Sequence, residues 1–339
     1  MWLLRKIAFP IALLYGFVVH LRNLLFDIGW LPVKTFSTPT ICVGNLSVGG
    51  TGKTPMIEFL IHHLSKEAKL AVLSRGYRRK SKGFQLANKH STVEQLGDEP
   101  FQIWSKFKNV TVAVDSDRSR GILNLEKILA PDIILMDDAF QHRKVSPSFS
   151  ILLTTYSRPY YKDWFLPTGM LRDARKAAKR ASAIVVTKCP STLSGTDKER
   201  LTLALRKNAQ QPIYFSSLAY ASTLGSQEGT MPLVKLKNER FTLVTGIANP
   251  QPLVHYLEAE GLQFEHLQFS DHHFFSEKEL ALLNRKGLLI TTEKDYTRLE
   301  GKVERLYFVQ VAHHFLEDGM KTILHQIRES IKPGSPYSP

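Results

Sequence analysis

One glycine-rich stretch constrains the fold more than any other part of the chain. It reads GNLSVGGTGKT over residues 44–54, follows the apolar run TICV at residues 40–43, and precedes apolar residues at helical spacing over residues 56–64. A strand, a glycine-rich loop and a helix form the context of a phosphate-binding loop, because backbone N–H groups and the helix N-terminus together surround phosphate oxygens. The stretch predicts an α/β fold with a P-loop NTPase-like parallel sheet.

The residues of this loop have separate expected contacts. Lys53 is expected to reach the β- and γ-phosphates of the nucleotide, and the Thr54 hydroxyl is expected to bind Mg²⁺. Ser47 stands where the motif usually begins with glycine, and the flexibility of Gly49 and Gly50 makes up for this. The predicted ATP- and phosphate-binding residues are Ser47, Val48, Gly49, Gly50, Thr51, Gly52, Lys53 and Thr54.

A second strand end predicts the rest of the metal site. Residues 132–138 read DIILMDD, which is typical of a buried strand followed by two acids. Asp137 is well placed to hold Mg²⁺ directly or through water, and Asp138 is expected to support it or to touch the substrate. Residues 183–190 read AIVVTKCP and lack the Asp of a guanine-reading motif, which argues against a GTPase.

The amino terminus predicts contact with a membrane. Apolar residues dominate residues 7–21, about fifteen positions where a membrane span needs roughly 20. No small-residue cleavage site follows them, so a signal peptide is disfavoured. The favoured interpretation is a helix that lies in one leaflet, with Trp2 and Trp30 at the depth of the lipid headgroups. A terminal helix packed on its own domain and a single membrane span stay open as alternatives.

Charge and cysteine content limit the partners and the compartment. The chain has 45 Lys and Arg against 31 Asp and Glu, and the net charge of +14 calls for nucleic acid, an anionic membrane surface or a phosphorylated substrate. No nucleic-acid recognition module is evident, so no nucleic acid is expected. Cations cluster at residues 75–82 and 172–180, and the spacing of the second cluster predicts a helix. The two cysteines, Cys42 and Cys189, fit a reducing compartment and suggest neither a disulfide nor a zinc site.

The length of 339 residues allows two domains, or three. The patterns predict a membrane-associated helix at 1–34, a P-loop ATP-binding domain at 35–212, a two-stranded linker at 213–236, a smaller α/β domain at 237–332 and a disordered tail at 333–339. Within the linker, the short strands are expected at 213–221 and 231–236. The cleft between the two domains is the expected active site.

Several motifs in a fixed order resemble one known family. They are the phosphate loop itself, SRGY at 74–77, GDEP at 97–100, DDAFQH at 137–142, TK at 187–188, DHH at 271–273 and TEKD at 292–295. A segment LPTGMLRD at 166–173 matches as well. Together these motifs resemble the tetraacyldisaccharide 4′-kinases of lipid A (lipopolysaccharide) biosynthesis, in which serine is also usual at the first position of the loop.

The resemblance implies a reaction and a set of roles. The reaction is ATP-dependent phosphorylation of the 4′-hydroxyl of tetraacyldisaccharide 1-phosphate to give lipid IVA, at the cytoplasmic face of the bacterial inner membrane, by an enzyme we expect to be a monomer. The family's catalytic pair maps onto Asp98, as base, and His272, which assists it. Glu99 is implied as a further metal ligand. Supporting or substrate-contacting roles are implied for Asp138, Gln141, His142, Arg75 and Arg172.

Residue patterns alone leave other readings open. Without the resemblance, GDEP would be interpreted as a helix-capping turn, and the histidines at 272 and 273 as part of a loop before an aromatic core. The main alternative function is a nucleotide-hydrolysing binding or maturation protein, which needs no sugar-lipid acceptor. A soluble small-molecule kinase is the other, and it would not need the apolar amino-terminal helix.

Overall fold

A long apolar helix, α1 (Phe9–Asp27), begins the described part of the chain. The structure is a computed structural model that describes residues 8–332 without Lys207 and Ala209, so the predictions for Trp2 and for the tail at 333–339 lie outside it. Pro10 is compatible with the first turn of α1, where its missing N–H is not needed. By length and composition, α1 is the one helix in the described residues that is long and apolar enough to cross a membrane.

Eight strands form the first part of a large sheet. They are β1 (Thr40–Asn45), β2 (Leu70–Ser74), β3 (Gln85–Leu86), β4 (Thr111–Val114), β5 (Ile133–Asp137), β6 (Phe149–Thr155), β7 (Ala183–Thr187) and β8 (Ile213–Ser226). Their order is β3-β4-β2-β5-β1-β6-β7-β8, and all neighbours pair in parallel except β3 with β4. Every residue of β1, β2, β5 and β7 is buried. Such continuous burial follows from two apolar cores, one on each face of the sheet.

Five helices accompany these strands. They are α2 (Lys53–Leu64), α3 (Val93–Leu96), α4 (Asp98–Lys106), α5 (Arg118–Leu129) and α6 (Gly195–Leu205). Thr92 caps α3 through a capping box, and Gly97, at φ +90°, separates α3 from α4. This turn places Asp98 and Glu99 in the first turn of α4. The GDEP motif therefore is a helix start, and its acids also face other parts of the molecule.

The remaining elements extend the same sheet. They are β9 (Gly229–Pro232), β10 (Phe241–Thr245), α7 (Gln251–Ala259), β11 (Phe264–Gln268), α8 (Glu277–Asn284), β12 (Leu289–Thr292), α9 (Glu293–Leu299), β13 (Leu306–Phe315) and α10 (Gly319–Ile331). The sheet continues from β8 through β13, β12 and β10 to β11, with β8 antiparallel to β13 and the others parallel.

Strand β8 differs from its predicted form. It runs for 14 residues, pairs at its start with β7, then with β13, and ends in a hairpin with β9. The expected second linker strand is short and is followed by a 3₁₀ segment, Leu233–Asn238. Because β8 belongs to both regions of the sheet, it fixes how the phosphate loop lies relative to the β10–β13 region.

Candidate active site

The phosphate loop has the predicted strand–loop–helix geometry. It leaves the carboxyl end of β1 and enters α2 at Lys53, with Gly49 at φ +110° and Gly52 at φ +88°. These left-handed conformations favour glycine and turn the backbone N–H groups of the loop inward. The Lys53 ammonium lies 3.8 Å from an Asp138 carboxylate oxygen. The loop, the start of a helix and a cation thus surround one site for phosphate.

Three side chains hold this loop in place. The Asn45 side-chain amide donates to the Thr51 hydroxyl at 2.9 Å, and the Thr187 hydroxyl donates to the Thr51 carbonyl at 2.8 Å. From β13, the His313 Nε2 donates to the carbonyl of Gly52 at 2.9 Å. Burial lowers the pKa of His313 to about 4, so the ring is neutral near pH 7. The sequence analysis did not identify His313, and its partner is 261 residues away along the chain.

The carboxyl end of β5 carries a buried acid that is short of partners. The Oδ2 of Asp137 accepts a hydrogen bond from the Ser74 hydroxyl at 3.0 Å, whereas the buried Oδ1 has no hydrogen-bond partner within residues 8–332 as described. Burial, together with the charges of Glu99 and Asp138, raises the pKa of Asp137 to about 7. A cation beside Asp137 would relieve both the unmet oxygen and the crowding of negative charge.

This environment fits magnesium in the form that kinases use. The described residues contain no cluster of three or more His, Cys, Asp or Glu side chains arranged to hold a metal by themselves. Mg²⁺ at phosphoryl-transfer sites is usually held by one or two carboxylates and by substrate phosphates. Thr54 is the second residue of α2, beside the loop, and Asp137 and Glu99 are close enough for Glu99 to raise the pKa of Asp137.

Asp138 lies in a cluster of cations next to the loop. It adopts φ +47° and forms an ion pair with Arg172, whose Nη1 donates to its Oδ2 at 3.0 Å. The same guanidinium donates to the side-chain oxygen of Asn45. Burial alone would raise the pKa of Asp138, but Lys53 and Arg172 hold it at about 2. Asp138 is therefore a carboxylate that orients two cations toward the phosphate loop.

Asp98 and His272 are in direct contact, although 174 residues separate them. His272, at φ +62° in the loop after β11, has its Nδ1 2.5 Å from the Oδ2 of Asp98. Its Nε2 lies 3.1 Å from the Lys294 ammonium. Because an ammonium group only donates, the Nε2 accepts and the Nδ1 carries the proton given to Asp98. The position and tautomer of His272 are thereby both defined.

Arg298, on α9, is a functional candidate that the sequence analysis missed. Its side chain is 1% exposed, and its Nε donates to the Asp98 Oδ1 at 3.1 Å while its Nη2 donates to the Oδ2. Its Nη1 donates to Asp295 at 3.0 Å. Burial would raise the pKa of Asp98, but hydrogen bonds from His272 and Arg298 hold it well below its usual value. The sequence carries one local signal for this region: Thr292 and Asp295 have the spacing of a helix cap, which indicates the start of α9, the helix that carries Arg298.

The remaining predicted residues lie around these two centres. Gln141 donates to the carbonyl of Asn45 at 2.7 Å. His142 lies 3.8 Å from Asp117, and burial followed by the charge of Arg118 lowers its pKa to about 4. Arg75 is exposed and close enough to lower the pKa of His142 as well.

Two further features of basic residues depart from the sequence analysis. Arg118, which it did not identify, is 2% exposed and donates to the carbonyls of Asp137 and Asp138 at 3.2 and 3.4 Å, so it fixes the end of β5. The helix predicted for the second basic cluster is a 3₁₀ segment, Arg175–Arg180. A six-residue segment with about three residues per turn does not align these cations on one α-helical face.

Comparison with known proteins gives one consistent result. The family described as tetraacyldisaccharide-1-P 4′-kinase matches residues 4–329. The tetraacyldisaccharide 4′-kinase of Flavobacterium johnsoniae is 46% identical over 340 residues, covering 98% of this chain and 99% of that protein. The enzyme of that name from Bacteroides thetaiotaomicron is 44% identical over 316 residues, 87% of this chain and 83% of that protein. LpxK from Aquifex aeolicus, crystallised in complex with ATP, superimposes with a TM-score of 0.80 at 30% identity, covering 96% of this chain and 99% of that one.

Proposed function

The chain belongs to the family of tetraacyldisaccharide-1-P 4′-kinases, and from this premise we propose how its own residues divide the reaction among them. The enzyme uses ATP to phosphorylate the 4′-hydroxyl of tetraacyldisaccharide 1-phosphate, which gives lipid IVA in lipid A biosynthesis. The observation that carries the proposal is the contact between Asp98 and His272, which assembles an acid–imidazole pair next to Glu99 and thus to the acids of β5.

The phosphate loop and its cations bind the triphosphate. Backbone N–H groups of the loop surround the β- and γ-phosphates, except those of Val48 and Thr51, which donate to the carbonyls of Met170 and Gly49. Lys53 contacts the γ-phosphate during transfer. Arg172, oriented by Asp138, places a second cation beside the loop, where it contacts the substrate. Phosphoryl transfer depends mainly on positioning and charge neutralisation, so these fixed cations lower the barrier without covalent chemistry.

Magnesium is the proposed metal, and Thr54, Asp137 and Glu99 are the residues that would hold it. When bound, Mg²⁺ neutralises the charge that develops on the transferred phosphoryl group. The proposal is supported by the unpartnered Asp137 Oδ1 and by the raised pKa of this group. Ser74 holds the other oxygen of Asp137 and so fixes the direction in which Oδ1 points.

The Asp98–His272 pair takes the proton of the acceptor hydroxyl. Asp98 is ionised throughout the physiological pH range because its pKa is held below the usual value, so it is always able to accept. A carboxylate bound to an arginine is a weak base, so Asp98 takes the proton only as the bond to the γ-phosphate forms, while the Nδ1–H of His272 orients the carboxylate. Lys294 contacts His272 and Arg298 contacts Asp98, and these contacts fix the position of each member of the pair. One chain supplies this whole set, which supports action as a monomer.

Membrane association is the third part of the proposal, and the two faces of α1 support it. Its buried residues, Ala12, Gly16, Val19 and Asn23, have short side chains and pack on the protein, whereas most of its large apolar residues are exposed. The contacts run the length of the helix, from Phe9 against Trp164 to Asp27 against Arg143. A helix held flat on its own protein cannot cross a bilayer without taking that protein with it, so α1 lies in one leaflet. ATP supply places that leaflet at the cytoplasmic face of the inner membrane.

The test is transfer of radiolabelled γ-phosphate from ATP–Mg²⁺ to tetraacyldisaccharide 1-phosphate in detergent micelles. We expect labelled lipid from the native chain, almost none from Lys53→Ala, and a loss of turnover larger than the loss of ATP binding from Asp98→Ala and His272→Ala. Exposed Leu203→Ala on α6 is the matched control. If ATP is hydrolysed without a lipid product, a hydrolysis-driven binding protein becomes the better interpretation. If Asp98→Ala loses binding and turnover equally, Asp98 is not the proton acceptor.

A further inference from the structure

An exposed tryptophan extends the apolar face of α1 onto a second part of the chain. Trp164 lies between β6 and the substrate-contacting Arg172, and its side chain is 54% exposed. Its ring meets the ring of Phe9 edge to face, with centroids 5.7 Å apart. The exposed large apolar residues of α1 and its carboxyl end are Phe9, Ile11, Leu13, Leu14, Phe17, Val18, Leu21, Leu24, Ile28 and Trp30. Trp164 and these residues therefore form one continuous apolar surface.

The residue after Trp164 fixes this segment against the helix. The Phe165 ring packs on Gly16, where a Cβ would lie 2.8 Å from the ring. It also meets Tyr15 and His20 edge to face, with centroid distances of 6.0 and 5.8 Å. The absence of a side chain at Gly16 is what allows the segment to approach so closely. Trp164 and α1 are consequently packed together as one unit.

The charge that surrounds Trp164 is positive wherever it is exposed. Residues 156–180 contain two acids, Asp163 and Asp173, and these are 3% and 0% exposed. Both are engaged by arginines, Asp163 by Arg158 and Asp173 by Arg180. The exposed charged residues of this stretch are Arg158, Lys162, Arg175, Lys176 and Lys179. The exposed charges of residues 156–180 are thus all cationic, and an apolar edge with such neighbours is complementary to anionic headgroups above hydrocarbon.

We propose that residues 156–171 form a second bilayer-contacting element that binds anionic phospholipid headgroups and inserts Trp164 at their depth. The inference rests on the proposed membrane association of α1 and extends it to a part of the chain that sequence hydropathy does not reveal. Tryptophan suits this position because its ring is apolar while its indole N–H remains in the hydrated layer. The Arg175 guanidinium lies 5.8 Å from the Trp164 ring centroid, which puts a cation beside the inserted ring.

Backbone hydrogen bonds connect this element to the active site. The Leu171 N–H donates to the Trp164 carbonyl at 2.8 Å, and the Val48 N–H of the phosphate loop donates to the Met170 carbonyl at 2.8 Å. Asp163 braces the turn by accepting from the Trp164 N–H at 2.9 Å. A bilayer surface in contact with Trp164 therefore lies close to the phosphate loop and to Arg172. The acceptor sugar, which is anchored in the same bilayer by its acyl chains, meets the nucleotide at that point.

The test uses tryptophan fluorescence of the full chain with vesicles of phosphatidylcholine, with or without phosphatidylglycerol, that carry brominated acyl chains. The chain has 4 tryptophans, so one variant retains Trp164 and has Phe at positions 2, 30 and 104. A second variant has all four replaced and carries Phe17→Trp as the reporter of α1. Retained ATP binding shows that each variant is folded. Because Trp104 is half-buried and its replacement risks misfolding, the loss of quenching caused by Trp164→Phe in the otherwise native chain gives a second measurement.

We expect both reporters to be quenched, and quenching to increase with phosphatidylglycerol and to fall with salt. Trp164→Ala and Lys162→Glu should each weaken binding to phosphatidylglycerol-containing vesicles roughly tenfold, because apolar insertion and charge both contribute. Leu203→Ala, which removes an exposed apolar side chain from α6, should leave binding unchanged. Quenching at Phe17→Trp without quenching at Trp164 would overturn the second element alone. Quenching at neither position would overturn the membrane association of α1 and this inference with it.

Discussion

Replacement of Arg298 is the most informative perturbation of the site. Its guanidinium joins two carboxylates, Asp98 on α4 and Asp295 on α9, and its side chain is 1% exposed. Arg298→Leu keeps most of the volume but leaves both acids buried without their cation. Removing one partner of a buried ion pair typically costs about 3–5 kcal/mol, because the remaining charge is uncompensated. Since α4 and α9 belong to different regions of the molecule, one beside β4 and the other beside β12 and β13, we expect the cost to appear in assembly of the site.

This cost converts into a loss of turnover. If about 3–5 kcal/mol must be supplied each time the site assembles, kcat falls by about two to three and a half powers of ten. ATP binding should change little, because Arg298 contacts no residue of the phosphate loop. Arg298→Lys should restore part of kcat, since it returns the charge but not the two-pronged geometry.

The pH dependence distinguishes positioning from general destabilisation. In the native chain the pKa of Asp98 is held low, so the carboxylate stays ionised and the stability it contributes is lost only as pH falls through that low value. Without Arg298 the pKa of Asp98 rises, and the acidic limb of the kcat profile should move to higher pH. The assay is the labelled transfer reaction across pH, with Leu203→Ala as control. An unchanged kcat and an unmoved acidic limb in Arg298→Leu would refute the reasoning.

The remaining predictions concern the loop, the metal and α1. His313→Gln should raise the KM for ATP severalfold. The pKa of His313 in the folded chain is about 4, below its ordinary value, so protonation of the unfolded chain favours unfolding as the pH falls below about 6.5, by about 3 kcal/mol in total. The variant should therefore lose less stability in acid than the native chain, as measured by urea titration at several pH values. Asp137→Asn should raise the Mg²⁺ concentration that half-saturates transfer at least tenfold. ATP binding without Mg²⁺, measured by filter binding, should be retained. Gly16→Leu should displace Phe165 and raise the KM for the lipid acceptor but not for ATP. Equal changes in both KM values would contradict a connection that runs from α1 through Phe165 to the segment before Arg172.

The predictability of each feature follows from how far apart its parts lie in the chain. The phosphate loop is contiguous, so its strand, glycines and helix start are all visible in one stretch, and the structure confirms this geometry. The contact between Asp98 and His272 has no local signal; only the resemblance to a family joined them. Arg298 lies 200 residues from its partner, and only the cap of α9 was readable. Strand β8 extends beyond the predicted residues 213–221, because it continues past β7 to pair with β13 and β9.

Helix α1 shows why hydrophobic periodicity alone was insufficient. Such patterns are normally read by assuming that large apolar residues face the core and small or polar ones face water. Here the assignment is reversed, because Gly16 and Asn23 face the protein while Phe17 and Leu14 face outward. The reversal is stable only if the outer environment is itself apolar, since exposed leucine and phenylalanine side chains gain nothing from water. Under the proposed membrane association, α1 has two partners: its buried residues pack on its own protein, and its exposed apolar residues contact the bilayer.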